Sequence, residues 1–421
     1  MNFFIKTLGC KVNNCDSDII IKNLVLNKLI NINNIKLADI IIINSCAVTA
    51  ESVRKTRQVI RKYRRMAPEA VIVLTGCSAD IIKKEDNNEI LTKIDIIISN
   101  FEKFNILKIL KNHKILGNYP VFLEDINKLN INTRSRAFLK IEEGCENFCS
   151  YCIIPYLRGP VKSKSLEDIQ KEAYELKLNN FTEIVLVGIN LCAYGTDINI
   201  NLIDAIEVVN KFFSRIRLGS LDPYFFIDNN QKNNFFLEYI TKNKNICPSF
   251  HLSLQSGSNK ILEKMNRKYT RENYIKITEK IKNNIPNSTI TTDVIIGFPG
   301  ETEEDFKKTV EIIEYCNFLK VNVFPFSARI GTAAYSLDNK IDEQTKKIRV
   351  KKILEISDIK SRLEINKFIN QEFNVMFEKT VSENIYSGYT ENYIKIHKYS
   401  AENLYKKTEK IILTPEIILY N

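Results

Sequence analysis

Histidine is scarce in this chain: three in 421 residues, none of them near the densest group of cysteines. The scarcity bears on zinc, because a zinc knuckle usually pairs one CxxC with a second CxxC or with a pair of histidines. Long apolar stretches are missing too. No uninterrupted run approaches the ~20 residues a membrane helix needs, so no membrane partner is expected. The opening residues, Met1-Asn2-Phe3-Phe4-Ile5-Lys6, run straight into a strand-like segment, with no apolar leader and small-residue cleavage site. A cytoplasmic location is the expectation. Ten cysteines in a reducing compartment then argue for metal or catalysis rather than a disulfide framework.

What is present begins with length and charge. The chain is long enough for two or three domains, and 44% hydrophobic residues is ordinary for a globular protein. A net charge of +11, from 61 Lys+Arg against 50 Asp+Glu, is compatible with a polyanion partner such as nucleic acid. Ile, Asn and Lys abound throughout, as an AT-rich genome would dictate, so charge alone leaves that partner open.

The densest chemistry lies in Cys145-Glu146-Asn147-Phe148-Cys149-Ser150-Tyr151-Cys152. Thiolates are soft ligands that favour zinc, copper(I) or iron–sulfur clusters. Three on one short loop suit three irons of a cubane, leaving the fourth iron open to a cofactor. A structural zinc with its fourth ligand elsewhere is the plain alternative.

Residues 1–112 alternate strand and helix patterns. Strands are expected at residues 3–8, 40–43, 71–74 and 95–98, with helices at 16–29, 50–65 and 101–110. This βαβ series predicts a doubly wound α/β domain. Cys10, Cys46 and Cys77 each follow a strand, 36 and then 31 residues apart. Parallel strands present their carboxyl ends on one edge, where ligands bind, so the three thiols should converge as a second cluster site. Three small buried hydrophobes is the bland reading. Cys15 breaks the register and reads as incidental. The basic helix over residues 50–65 is either a solvated face or a surface for phosphate.

A polar linker over residues 112–133 leads into a second series. Strands are expected at residues 136–141, 183–187, 215–218, 251–254, 289–295 and 319–324, separated by helices at 166–178, 202–212, 231–241, 271–283 and 302–315. Six βα units are too few for a closed eight-stranded barrel, so a partial (β/α)6 barrel is expected over 131–366. The cysteine loop sits at the carboxyl end of its first strand. Polar strand ends recur at that same edge: Gly188 and Asn190, Ser220 and Asp222, Gln255, and Gly297. They read as contacts to a polar ligand, with Asp222 suited to ribose hydroxyls. Cys192, Cys247 and Cys316 have no partner spacing and read as structural.

At this point several stretches resemble one family. Cys145-x-x-x-Cys149-x-x-Cys152, with Tyr151 before the last Cys, is similar to the loop of radical S-adenosylmethionine enzymes. Thr7-Leu8-Gly9-Cys10-Lys11-Val12-Asn13, Asn44-Ser45-Cys46-Ala47-Val48-Thr49, Thr75-Gly76-Cys77, Cys152-Ile153-Ile154-Pro155-Tyr156 with Arg158-Gly159-Pro160, and His251-Leu252-Ser253-Leu254-Gln255-Ser256-Gly257-Ser258 together resemble the methylthiotransferases. Gly-Cys-Lys-Val-Asn at 9–13 is most like the branch acting on N6-threonylcarbamoyladenosine in tRNA. The isopentenyladenosine branch typically reads Gly-Cys-Gln-Met-Asn there, and the branch acting on a ribosomal-protein aspartate Gly-Cys-Pro-Lys-Asn.

The resemblance implies two 4Fe-4S clusters. One sits on Cys145, Cys149 and Cys152, and its open iron chelates S-adenosyl-L-methionine for cleavage to a 5′-deoxyadenosyl radical. An auxiliary cluster on Cys10, Cys46 and Cys77 carries the sulfur. Tyr151, Gly188, Asn190, Ser220, Asp222, Gln255 and Gly297 are the expected cofactor contacts. The implied reaction delivers a methylthio group to C2 of the adenine, and no His/Asp/Ser constellation is needed because the cofactors carry the hard chemistry. The electron donor and the sulfur source are unidentified. One departure is the lysines of Pro160-Val161-Lys162-Ser163-Lys164, where relatives often have arginines, which are not equivalent on phosphate.

A charged helix is expected over residues 343–368. Short strands follow at 373–378, 385–390, 393–397 and 409–413, and the segment 367–421 resembles a TRAM-like domain, a small β-barrel that grips RNA with exposed Tyr and Lys.

Overall fold

The computed structural model describes residues 1–85, 89–117, 134–227 and 234–420. Most of the polar linker, the first three residues of the expected 131–366 domain and the start of the expected 231–241 helix lie outside the described residues.

The N-terminal domain is a parallel sheet of β1 (Asn2–Thr7), β2 (Ile30–Asn31), β3 (Ile40–Ser45), β4 (Val71–Gly76) and β5 (Ile96–Ile97), in the order β2-β1-β3-β4-β5. Helices α1 (Lys11–Leu26), α2 (Ala50–Met66), α3 (Ala79–Glu85) and α4 (Ile106–Asn112) cover it. The order is that of a doubly wound sheet whose switch point lies between β1 and β3. β3 is buried at every position, as its unbroken Ile40–Ile43 run demands. Thr7 pairs with Asn44, and Asn44 with Thr75, so three strands end level. α1 begins directly after Cys10, five residues earlier than expected, which places Cys15 inside the helix. There it packs on Val12, Val185 and Val187 at the seam with the next domain, and burial pushes its thiol up to about 12.

The central domain opens with β6 (Ala137–Lys140), a short antiparallel pair β7 (Glu142–Glu143) and β8 (Lys162–Ser163), and α5 (Ile154–Arg158) between them. It continues through α6 (Leu166–Leu178), β9 (Ile184–Val187), α7 (Leu202–Asn210), β10 (Ile216–Leu218), β11 (Ser220–Leu221) and α8 (Asn234–Lys242). β12 (Ser249–Leu252), α9 (Asn259–Lys264), α10 (Arg271–Asn284), β13 (Thr289–Ile296), α11 (Glu303–Cys316) and β14 (Lys320–Pro325) complete it. β10 pairs with β9 and β11 with β12, and only Gly219 separates them. They are two halves of one strand, so a three-stranded and a four-stranded sheet join into a six-stranded parallel partial barrel with β6 and β14 as its edges. β12 sits two residues earlier than expected. α5, α9 and the β7–β8 pair were not legible in the sequence because each spans six residues or fewer.

Helix α12 (Glu343–Asn366) packs on β14 and leads to β15 (Glu372–Ser382), β16 (Ile385–Tyr389), β17 (Lys395–Tyr399) and β18 (Thr408–Ile412). Their order is β17-β16-β15-β18, all antiparallel. The chain then returns: Ile418 bridges Ile396, and Leu419 N–H donates to Lys395 O at 2.9 Å. That return covers the free edge of β17 and closes a small barrel around Val375, Phe377, Ile396 and Leu413.

This barrel is fastened to the amino-terminal ends of the central strands. Glu183, fully buried, faces Arg136, Arg215 and Arg217. Arg215 donates to the carbonyls of Asn374 and Tyr389 at 2.9 Å each, and Arg217 to those of Glu391 and Thr390 at 2.8 and 2.7 Å. Tyr389 and Tyr393 stack at 4.8 Å beside Arg136. Tyr389 and Tyr393 are thus turned toward the central domain, whereas Tyr399 is 71% exposed.

Candidate active site

The six cysteines line one cavity of about 630 Å³ between the carboxyl edges of the two parallel sheets. Cys10 caps α1, Cys46 follows β3 and Cys77 follows β4. Gly9 has φ +105, and a Cβ there would lie 2.8 Å from Cys46 Sγ. Only glycine lets those two loops approach so closely.

Asn13 ties the first site together. Fully buried, its Nδ2 donates to Leu8 O at 2.9 Å and Ser45 O at 2.8 Å, and its Oδ1 accepts from Arg158 Nη2. Arg158, at the end of α5, also donates from Nε to Cys77 Sγ at 3.3 Å. Behind it, Asp16, Lys103, Lys140 and Glu143 form a buried ion network that joins the two domains.

The second site rests on the 145–152 loop. Gly144 has φ +89, and a Cβ would fall 1.8 Å from Pro160 O, so the backbone passes where no side chain fits. Cys145 N–H donates to Gly159 O at 3.1 Å and Ser150 N–H to Met265 O at 3.1 Å. Arg267 donates to Cys149 Sγ at 3.2 Å and pairs with Asp222 Oδ1 at 3.1 Å, while Asn147 Nδ2 donates to Asp222 Oδ2 at 2.9 Å. Burial pushes the thiols of Cys77 and Cys145 up to about 11 and that of Cys152 up to about 12.

Of the other expected contacts, Tyr151, Gly188, Asn190, Ser220, Asp222 and Gln255 line the same cavity. Asp222 is held by Arg267, Asn147 and the N–H of Tyr224, and its own N–H donates to Cys192 Sγ at 3.2 Å, so Cys192 positions this turn. Gly188 makes room for Glu142, whose Oε2 would be 2.6 Å from an added Cβ. Glu142 accepts from Asn190 N–H at 2.8 Å, and burial pushes its carboxyl up to about 8. Gly297 does not line the cavity. A Cβ there would strike Lys346 Cγ at 2.2 Å, so the position serves the close approach of α12.

Sequence reasoning missed Asn13, Lys11, Arg158 and Arg267, and also His251, Asp293 and Asn322. His251 Nε2 lies 3.2 Å from Asp293 Oδ2, and Asn322 Nδ2 donates to Asp293 Oδ1 at 2.9 Å. The signal for these last three was available: polar residues at alternate positions of strands otherwise apolar mark the inside of a barrel.

Among the described residues, no three His, Cys, Asp or Glu side chains draw together tightly enough for a single metal ion. A cubane does not require it, since each thiolate goes to a different iron. Soft donors alone, on a cavity of this size, fit that group in the 145–152 loop.

Two family models match the chain: the Radical SAM superfamily over residues 139–313, and "Uncharacterized protein family UPF0004" over residues 2–99. Threonylcarbamoyladenosine tRNA methylthiotransferase MtaB of Bacillus subtilis is 32% identical, covering 99% of this chain and 94% of its own length. The protein of that name from Aquifex aeolicus is 36% identical over 98% and 99%. A tRNA-2-methylthio-N(6)-dimethylallyladenosine synthase of Petrotoga mobilis is 33% identical over 93% and 91%. Among solved structures, the radical S-adenosylmethionine methyltransferase TsrM of Kitasatospora setae, at 12% identity, superposes with a TM-score of 0.55 over 79% of this chain and 77% of its own, a likeness of fold. The superfamily match brings with it S-adenosylmethionine and one 4Fe-4S cluster as cofactors. Motifs, architecture and relatives agree, and the chain belongs to the radical S-adenosylmethionine methylthiotransferase family.

Proposed function

We propose that this protein adds a methylthio group to C2 of N6-threonylcarbamoyladenosine, next to the anticodon of tRNA, using S-adenosylmethionine and two 4Fe-4S clusters. The single observation that carries the reading is the meeting of Cys10, Cys46 and Cys77 with Cys145, Cys149 and Cys152 on one cavity. When bound, the clusters and S-adenosylmethionine supply the radical that activates the carbon and the sulfur that is inserted. The chain's own residues hold and orient. Asn13 and Arg158 brace the auxiliary thiols, Arg267 and Asn147 brace the 145–152 loop, and Tyr151, Gly188, Asn190, Ser220, Asp222 and Gln255 surround the adenosyl group.

The labour divides along the chain. Residues 1–112 carry the auxiliary cluster, 131–366 the radical chemistry, and 367–421 grip RNA. No helix among the described residues is long and apolar enough to cross a membrane, which accords with a cytoplasmic enzyme acting on tRNA.

The relatives named for dimethylallyladenosine support a second substrate reading. Nucleoside mass spectrometry of tRNA from a deletion strain separates the two. Loss of the methylthio group from threonylcarbamoyladenosine is the expected outcome, and loss from isopentenyladenosine instead overturns the substrate assignment. Anaerobic reconstitution is expected to give about eight irons per chain, and a plateau at about four sinks the second cluster.

A further inference from the structure

A second cavity, of about 320 Å³, adjoins the first and shares Lys11, Leu218, His251 and Asn322 with it. It lies inside the partial barrel, walled by residues of β6, β9, β10, β12, β13 and β14, and the C-terminal barrel closes it with Tyr389, Tyr393 and Lys395. Its charge is one-sided. Lys11, Arg136, Arg217, Lys320 and Lys395 line it, and no carboxylate does among the described residues. Arg136 and Arg217 are committed to Glu183. Lys11, Lys320 and Lys395 come from three different domains, and none of them makes an ion pair among the described residues. Tyr393 registers the resulting field: burial pushes its hydroxyl up, yet Arg136, Lys11 and Arg217 bring it below the ordinary tyrosine value.

Three lysines without ion-pair partners, lining a space beside the six-cysteine cavity, offer an anion a place to bind. We infer that this antechamber is the specificity site for the N6 substituent, and that Lys11, Lys320 and Lys395 bind the carboxylate of the threonylcarbamoyl group. The inference rests on the substrate class proposed above. An isopentenyl group carries no charge, and entering this space would leave the ammonium groups without a partner, so the site would reject it as well as accept the acid.

The test is binding, without turnover. Reconstituted full-length protein is titrated into labelled anticodon stem-loop RNAs at fixed salt. Four RNAs are used, with adenosine, isopentenyladenosine, threonylcarbamoyladenosine or its methyl ester at the target position. The wild type is expected to bind the free acid about tenfold more tightly than the ester, a gap a charge-assisted contact readily gives. Lys320→Gln combined with Lys395→Gln is expected to bind acid and ester alike while keeping its affinity for the adenosine RNA. Lys11→Gln, on another domain, is expected to narrow the same gap. A gap that survives all three changes overturns the inference. So does an equal loss on every RNA, which would assign these lysines to backbone phosphates. A wild type that prefers the isopentenyl RNA overturns the substrate reading itself, whereas a preference for the threonylcarbamoyl RNA that the ester retains overturns only the carboxylate contact.

Discussion

Arg267 donates a hydrogen bond to Cys149 Sγ across 3.2 Å while its other terminal nitrogen pairs with Asp222 at 3.1 Å. The guanidinium, with 7% of its side chain exposed, is fixed by its acid and presents a donor to the sulfur of Cys149, one of the three proposed to hold a cluster. Hydrogen bonds and positive charge at the sulfurs raise the reduction potential of an iron–sulfur centre. Arg267→Lys keeps the charge but loses the fork that serves both partners. The expected result is a midpoint potential lower by tens of millivolts at unchanged iron content, where about 59 mV is one decade for a one-electron couple. Potentiometric titration followed by electron paramagnetic resonance reads it.

Asn13 is the corresponding brace of the other site. Asn13→Asp keeps the shape but removes the donors to Leu8 O and Ser45 O, at roughly 1–3 kcal/mol for buried groups left without partners. Cys10, Cys46 and Cys77 should then lose their common alignment. Iron after reconstitution is expected to fall from about eight to about four per chain, with the S-adenosylmethionine-dependent spectral change of the remaining cluster preserved.

Glu183 links stability to acid. Burial by itself would raise its carboxyl, but Arg217, Arg136 and Arg215 override that and hold it at about 2. Because the folded value lies below the unfolded one, the stabilisation is present above pH ~4.5, where unfolded glutamate ionises, and is lost as pH falls toward ~2. It is worth on the order of 3 kcal/mol. Glu183→Gln leaves three guanidiniums without their anion, so urea unfolding at pH 7 is expected to show a loss of about 3–5 kcal/mol. Proteolysis between α12 and β15 should appear at lower denaturant than in the wild type.

Glu142 runs the other way. Its folded value, about 8, lies above that of an unfolded glutamate, chiefly through burial. Its contribution is therefore complete below pH ~4.5 and is lost as pH rises through ~8, by roughly 5 kcal/mol. Glu142→Gln, neutral at every pH, is expected to flatten that decline in the metal-free protein. Equal slopes in the two proteins would show that the carboxyl is ionised at neutrality.

How much of this was legible in the sequence follows from the range of each signal. The Ile40–Ile43 run and the 36- and 31-residue spacing of Cys10, Cys46 and Cys77 are local patterns, and they gave both the doubly wound sheet and its cysteine edge. The partial barrel was legible for the same reason. Arg158 and Arg267 were not, because an arginine announces nothing until the fold sets it beside a sulfur. Gly297 was misread because turn chemistry and ligand contact look alike when α12, some fifty residues downstream, is not yet in place. The inward placement of Tyr389 and Tyr393 was not legible either, since Arg136 and Arg217, which stack on them, lie more than 170 residues away.

Asp16 sets an order of events for synthesis. It is fully buried in α1, and its partners Lys103, Lys140 and Arg158 lie 87, 124 and 142 residues downstream. A nascent chain that has released only β1 to β5 has none of them, and burying a lone carboxylate is strongly disfavoured. Asp16 gains its first counterion when Lys103 follows β5, and its full set only once α5 has left the ribosome. By then the 145–152 loop has also emerged, so Arg158 reaches Asn13 and Cys77 only after the neighbouring cysteine loop exists.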